Sequence, residues 1–323
     1  MSLSTAEDLP TPAPIVVREP SLWFKLGLVA LLALLCLVPF LFVLTISFGH
    51  KIEGAGWAFG FEFSHYKRFF LGATWPETFQ SLYIQRLGYS LFFAAIGAVI
   101  AVALAFPFTY FLTRMSRRAQ TVWLVVLLSS LSLSEVFIVM GWDILLSARS
   151  GLPALLDGIG FTDLMKDLGW FQWFRDVGLA SPRAFKFKTS GFATVLCMAY
   201  LVWPYAVILL YPALSRLDPA LVEAARTMGA RPGQVVRTVV LPSVRLPLFG
   251  STLLLFVFLL GTYVTISVFA DPSQHTLAVS IYDSVRGSTL NAPFGAAQSV
   301  ILLITAGLFL IAGQKLSKAG GTA

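Results

Sequence analysis

The sequence predicts an all-α integral membrane protein with six spanning helices, and three observations carry that prediction. Hydrophobic residues make up 57% of the 323-residue chain and charged residues only 12%, where a soluble domain carries roughly 25% charged residues. Six apolar runs approach or exceed the roughly 20 residues that a helix needs to cross a bilayer. Lys and Arg flank these runs rather than interrupt them, so the net charge of +7 reads as a topology signal. It does not read as a nucleic-acid surface.

Residues 1–22, rich in Pro, Ser, Thr and acidic side chains, form a disordered tail in this reading. Residues 23–48 form the first span, with a charge-free stretch Leu26–Phe48. It is too long for a signal-peptide core, and no small-x-small cleavage site follows, so it is expected to be retained. Residues 49–86 mix aromatic and charged side chains outside the bilayer. Residues 87–314 then form a core with spans at 87–112, 120–146, 190–214, 246–270 and 293–314, an insertion at 147–189 and a polar loop at 215–245, before a tail at 315–323. Prolines within or beside several spans, among them Pro39, Pro107, Pro204, Pro212 and Pro247, are tolerated where neighbouring helices satisfy the freed carbonyls. Cys36 and Cys197 both fall in apolar runs and read as small hydrophobes.

An even number of spans places both termini on one side. With the termini inside, the inner segments hold 12 of the 23 Lys and Arg residues, and the outer segments 11. The totals barely discriminate. The outer loops are longer and count less, and the short turn with Arg114, Arg117 and Arg118 is the cleanest vote for cytoplasmic termini. On that orientation 49–86 and 147–189 face outward. The latter carries Trp170, Phe171, Trp173 and Phe174, which suit either a membrane interface or a platform for an external partner.

The most informative stretch joins the fourth and fifth spans. Asp218 is a good helix N-cap and Pro219 a good first helical residue. Leu221, Val222 and Ala225 give one apolar face, and Gly229 a left-handed stop. Pro232 starts a second short helix with an apolar face of Val235, Val236, Val239 and Val240, and Pro242 ends it. The product is a compact helix–turn–helix joined to two spans by proline-marked corners, which is the form of a mechanical lever.

Glu223-Ala224-Ala225, three residues, Gly229, nine residues, Val239, one residue and Leu241-Pro242 resemble the EAA motif of permease subunits of ABC importers. That family usually has Ile in place of Val239. The resemblance runs from about residue 86 to the C-terminus. Within it the chain looks most like the polyamine-type (spermidine/putrescine) permeases, on Trp203-Pro204-Tyr205, Pro212-Ala213-Leu214 and Gly229-Ala230-Arg231-Pro232. Members of that group often carry an acidic residue after the glycine of the fifth span, whereas here Gly261 is followed by Thr262-Tyr263.

The resemblance implies a six-span permease fold in the bacterial inner membrane. It implies a second permease chain, a dimer of ATP-binding subunits and a periplasmic solute-binding protein as partners. It also implies that Glu223, Ala224, Ala225, Gly229, Arg231 and Pro232 form the element that couples to the ATPase. Import of a polyamine or related cationic amine follows, with an opine or another small solute as the alternative.

Two acidic residues fall inside an apolar run. Glu135 lies about 22 Å along a third helix counted from Gln120 at 1.5 Å per residue. A carboxylate at membrane depth costs on the order of 2.5–3.5 kcal/mol by insertion scales, so it normally faces a bundle interior or an aqueous cavity. Asp143 is eight residues on, within about 80° of the same helix face at 100° per residue. Ser132, three residues before Glu135, would extend a polar stripe, and Trp142 would offer an aromatic surface to a cation. These four residues are the expected solute path. The competing expectation is that Glu135 is protonated or bonded to a neighbouring helix.

No GxxxxGK[ST] loop occurs in the chain. ATP and magnesium are therefore expected on a partner subunit, with no cofactor or metal in this one. An HExxH helix is absent too, and His50, His65 and His275 all lie outside the expected spans, which argues against a membrane protease. A secondary transporter would more often show internal repeats and more spans, and would leave the capped loop unexplained. A purely structural membrane protein is the remaining rival.

Overall fold

The computed structural model describes residues 22–53, 56–148, 150–182, 184–287 and 290–319. The expected tail at 1–22 lies, but for Leu22, outside the described residues. The chain divides into two compact units, 1–43 and 44–323. The first holds most of α1 (Leu22–Ser47), an apolar helix of 26 residues with Pro39 inside it.

The second unit opens with a hairpin of β1 (His50–Ile52) and β2 (Gly56–Ala58) and the short helix α2 (Ser64–Leu71). His50 Nδ1 and Glu62 Oε2 lie 2.6 Å apart. The Ser64 hydroxyl, which also bonds to Glu62, and then His50 hold the Glu62 carboxyl below the usual carboxylate range.

Helix α3 (Leu82–Leu112) follows, then α4 (Arg117–Leu131) and α5 (Glu135–Leu145). The insertion forms α6 (Leu152–Gly158), α7 (Phe161–Asp167) and α8 (Phe171–Asp176). Helix α9 (Gly191–Ser215) leads to α10 (Pro219–Thr227) and α11 (Pro232–Val235), then through a π-helical turn (Val236–Val240) to α12 (Leu241–Ser243). The chain closes with α13 (Arg245–Leu260), α14 (Val264–Phe269), α15 (Leu277–Arg286) and α16 (Ala292–Ala319).

Among the described residues four helices, α1, α3, α9 and α16, are each long and apolar enough to cross a membrane, and the number reaches six if two bent pairs each count as one span. The expected continuous span 120–146 is one of these pairs. It breaks between α4 and α5 with a bend of 95°. Ser129, Ser130, Ser132 and Ser134 crowd the break. Ser129 Oγ donates to Val125 O at 2.9 Å and Ser130 Oγ to Leu127 O at 2.7 Å, and such back-bonding bends helices. The expected span 246–270 is likewise interrupted, since α13 ends at Leu260 and α14 begins at Val264. A 70° bend separates Pro232–Ser243 from α13. Helix α16 runs past the expected end at 314 to Ala319.

The core is built on α3. Ala94, Ala98, Ala101 and Ala105 are all fully buried, and their spacing of three and four residues makes a smooth stripe on one face. Met198, Ala199, Val202 and Ala206 of α9 and Leu255 and Leu259 of α13 belong to the same buried cluster. The two long helices run parallel. A Cβ on Gly97 would meet Met198, Phe108 meets Trp203 at 5.0 Å between ring centroids, and Gln120 just beyond α3 accepts from the Tyr211 hydroxyl at 2.9 Å. Helix α16 begins at the same end, where Phe294 meets Tyr83 at 4.9 Å. One end of the bundle therefore gathers α2, the starts of α3, α9 and α16, and the insertion; the other gathers α10 to α12.

In the insertion Phe185 is 2% exposed and touches the rings of Phe161, Phe171, Phe174 and Phe187 at centroid distances of 5.2 to 6.0 Å. Phe171 turns into this aromatic core while Trp170 and Trp173 remain exposed. A small packed domain, more than a flat interfacial helix, is what this sequence builds.

A Cβ at Gly97 would lie 3.1 Å from Leu259 Cδ1 and 3.3 Å from Met198 Cβ. Overpacking of this kind costs about 1–3 kcal/mol. Gly97→Leu is expected to lower the thermal unfolding midpoint in detergent by several degrees, with Gly97→Ala intermediate. An unchanged midpoint for Gly97→Leu would show that the α3–α9–α13 junction is loosely packed.

Candidate functional site

Two regions carry the candidate residues. The first is the helix–turn–helix at the α10–α12 end. Asp218 Oδ1 accepts from the Ala220 N–H at 2.9 Å and Pro219 is the first helical residue. Gly229 has φ +83°. The Ala230 N–H donates to Ala225 O at 3.1 Å and the Gly229 N–H to Arg226 O at 2.9 Å, the paired bonds of a Schellman stop. The Arg231 N–H donates to Gln234 Oε1 at 2.8 Å, so α11 is capped by its own third residue with Pro232 at its start.

Packing divides the faces of this unit. Val222, Ala225, Val235, Val240 and Val244 are buried in the same cluster as Leu112, Leu210 and Leu214 of α3 and α9, with Val239 packed against it. Leu221, expected on that buried face, is 51% exposed. Its direction is set by helix geometry: Leu221, Ala224 and Met228 fall within about 60° of one another around the helix at 100° per residue. All three are exposed, with Met228 at 82%, and form an apolar stripe that no other part of the described chain covers. Glu223 and Arg231 are also exposed. Pro242 does not end the second helix but lies within α12, and the sharp turn comes at Val244.

The second region surrounds α5. Glu135 is the first residue of α5 and not a mid-helix residue. Its Oε1 accepts from the Thr265 hydroxyl at 2.8 Å and the Thr265 N–H at 3.1 Å. Ser132 ends α4 on the far side of the 95° bend, so it does not share a helix face with Glu135 as expected. Asp143 pairs with Lys188 Nζ at 2.5 Å. Trp142 packs edge-on against Tyr200 at 5.3 Å between centroids, and both line a cleft of about 510 Å³ with Leu133, Phe137, Ile138 and Leu145. Glu135, Trp142 and Asp143 thus stay on one helix. Thr265 and Lys188, the partners of the two carboxylates, carry no signal in the sequence, because Thr265 is 130 residues from Glu135. Among the described residues no group of three or more His, Cys, Asp or Glu is placed to hold a metal ion.

Among the described residues the chain is a multi-helix bundle with broken apolar segments and a capped helix–turn–helix at one end. Residues 120–318 match the family of binding-protein-dependent transport system inner membrane components, and the chain belongs to that family as a multi-pass inner-membrane permease subunit of an ABC importer. It is 25% identical over 237 residues to the spermidine/putrescine transport system permease protein PotB of Escherichia coli (strain K12), covering 73% of this chain and 79% of that protein. It is 22% identical over 282 residues to PotB of Haemophilus influenzae, covering 87% and 88%. In fold it is similar to a chain of a bacterial alginate ABC transporter in complex with an alginate pentasaccharide-bound periplasmic protein. The TM-score is 0.62, with 14% identity and 92% and 94% of the two chains covered.

The stop at Gly229 isolates backbone strain from contact. A Cβ there would meet nothing within 4 Å, so a substitution is penalised through φ alone, by about 1–2 kcal/mol for most residues. Gly229→Val is expected to speed amide hydrogen exchange across 219–243, while Gly229→Asn, which tolerates the left-handed region, leaves it near wild type. Equal behaviour of the two variants would refute the role of this stop.

Proposed function

We propose that the chain carries a small cationic amine of polyamine type inward by alternating access, as one of two permease chains. A separate ATP-binding subunit dimer hydrolyses ATP with magnesium, and a periplasmic binding protein delivers the solute to the opposite end. Both termini and α10–α12 face the cytoplasm in this reading, and α2 and the insertion face outward. The observation that carries it is the division of α10. Val222 and Ala225 are buried against the chain's own bundle, while Leu221, Ala224 and Met228 present an apolar stripe with Glu223 nearby. A helix tied on one face and bare on the other transmits a push from a partner to the spans. Gly229, Arg231 and Pro232 set the angle between the two short helices.

The solute class is supported by the named substrates of the PotB relatives and by the α5 region. There Glu135 and Trp142 lie seven residues apart on α5, and Trp142 packs on Tyr200; a carboxylate and aromatic faces each attract organic cations. Asp143 is already neutralised by Lys188, which favours as a second reading a solute with little positive charge, such as an opine.

Glu135→Gln keeps an acceptor for Thr265 and removes the charge. Loss of a charge-assisted hydrogen bond of about 1.5–3 kcal/mol corresponds to roughly tenfold or more in affinity. Uptake of labelled putrescine or spermidine by the reconstituted importer is expected to fall by about that factor, with basal ATPase activity intact. Unchanged uptake kinetics remove Glu135 from the path, and no uptake of either amine by the wild type favours the second reading.

The orientation has its own test. Single cysteines at Lys67 and Lys186, both exposed, are expected to react with a membrane-impermeant maleimide in intact spheroplasts. Labelling only after lysis inverts the topology.

A further inference from the structure

The end of the bundle opposite α10–α12 holds a basic pocket outside both regions described above. It is a cavity of about 350 Å³ between α2 and the start of α16, lined by Ser64, His65, Lys67, Arg68, Trp75 and Asn291 among others. The Arg68 guanidinium lies 4.6 Å from the centroid of the Phe294 ring. Its Nε is buried and has no hydrogen-bond acceptor among the described residues. His65 is buried and fixed by Gly49 O at 3.0 Å from its Nε2. Among the described residues Lys67 and Arg68 line the cavity and no carboxylate does, the nearby Glu62 being engaged by Ser64 and His50. A buried, unpaired guanidinium N–H beside a lysine, in a cavity with room for a tetrahedral anion, calls for an acceptor of negative charge.

The setting identifies the source of that anion. Phe294 and Tyr83, which meet at 4.9 Å, lie at the starts of two spans, α16 and α3, so the pocket sits at the depth of a lipid headgroup. Trp75 lines the cavity and is 54% exposed, and Phe63, Phe70 and Phe79, on α2 and the segments flanking it, are each at least half exposed. Aromatic side chains are enriched at the membrane–water interface, and Lys and Arg near a membrane surface are drawn to anionic headgroups. An acidic loop of a soluble partner would need the charges but not exposed Trp and Phe side chains beside them. We infer that Lys67 and Arg68 bind the phosphodiester of an anionic phospholipid at this interface. The inference requires that α3 and α16 span the bilayer and does not depend on which solute is carried.

Native mass spectrometry of the intact importer, titrated with phosphatidylglycerol or phosphatidylcholine, tests it. The wild type is expected to retain one more phosphatidylglycerol than the Lys67→Gln/Arg68→Gln variant and to show no such difference with phosphatidylcholine. Each removed charge is expected to weaken phosphatidylglycerol binding about fivefold, and Arg68→Lys is expected to restore most of it. Arg68 packs on Phe294 and its loss could unsettle the fold, so Lys67→Gln, at an exposed position, is measured alone as well. Phosphatidylglycerol binding that survives both single and double substitution overturns the inference. So does displacement by millimolar inorganic phosphate, which would mark a free-phosphate site, and so does a variant that loses only affinity for the binding protein, which would mark a protein-docking site.

Discussion

In hydrocarbon an apolar side chain gains nothing by leaving lipid for protein, so helices in a bilayer hold together by close packing and satisfied polar groups. The stripe Ala94, Ala98, Ala101 and Ala105 on α3 meets that constraint. Small side chains let α9 and α13 approach until Met198, Val202 and Leu259 fill the remaining space. Everything else is referred to this junction. The parallel run of α3 and α9 fixes which loops share an end, and that decides that α2 and the insertion stand together, far from α10–α12.

The same packing reaches the lever. Val222 and Ala225 of α10, and Val235 and Val240 of the second short helix, are buried in one continuous cluster with Leu112 at the end of α3 and Leu210 and Leu214 at the end of α9. The helix–turn–helix is therefore an extension of the core. Its caps matter for the same reason. The Asp218 cap and the Gly229 stop satisfy backbone groups locally, so α10 closes its own ends without help from another element.

Much of this was legible in the sequence, for identifiable reasons. The lever was visible because its signals are local: Asp218, Pro219, Gly229 and Pro232 act on neighbours one to five residues away. The apolar runs were visible because hydropathy needs no partner. What escaped depends on distant contacts or on competition within a run. Hydropathy averaged over 120–146 cannot see that Ser129 and Ser130 bond back to the helix just before the chain turns by 95°. Nor can it see that Leu221 points away from the core while Val222, one residue on, is 1% exposed. The partners of Glu135 and Asp143 lie 130 and 45 residues away, and neither threonine nor lysine is rare enough to advertise itself.

Glu135 joins the two interrupted segments. It begins α5 immediately after the first break, and Thr265 lies one residue inside α14, immediately after the second. The Thr265 N–H is among the orphan donors at the start of α14, and the Glu135 carboxylate accepts it together with the Thr265 hydroxyl. One side chain thus caps a helix 130 residues away and ties the two breaks together. That role accounts for a carboxylate at this depth without a solute, and it also constrains how a solute could use it. A cation approaching Glu135 would meet a group whose one oxygen is held by α14. Binding there would pull on the junction of two broken spans. A solute that drew on the Glu135 charge would therefore act on the same bond that joins α5 to α14.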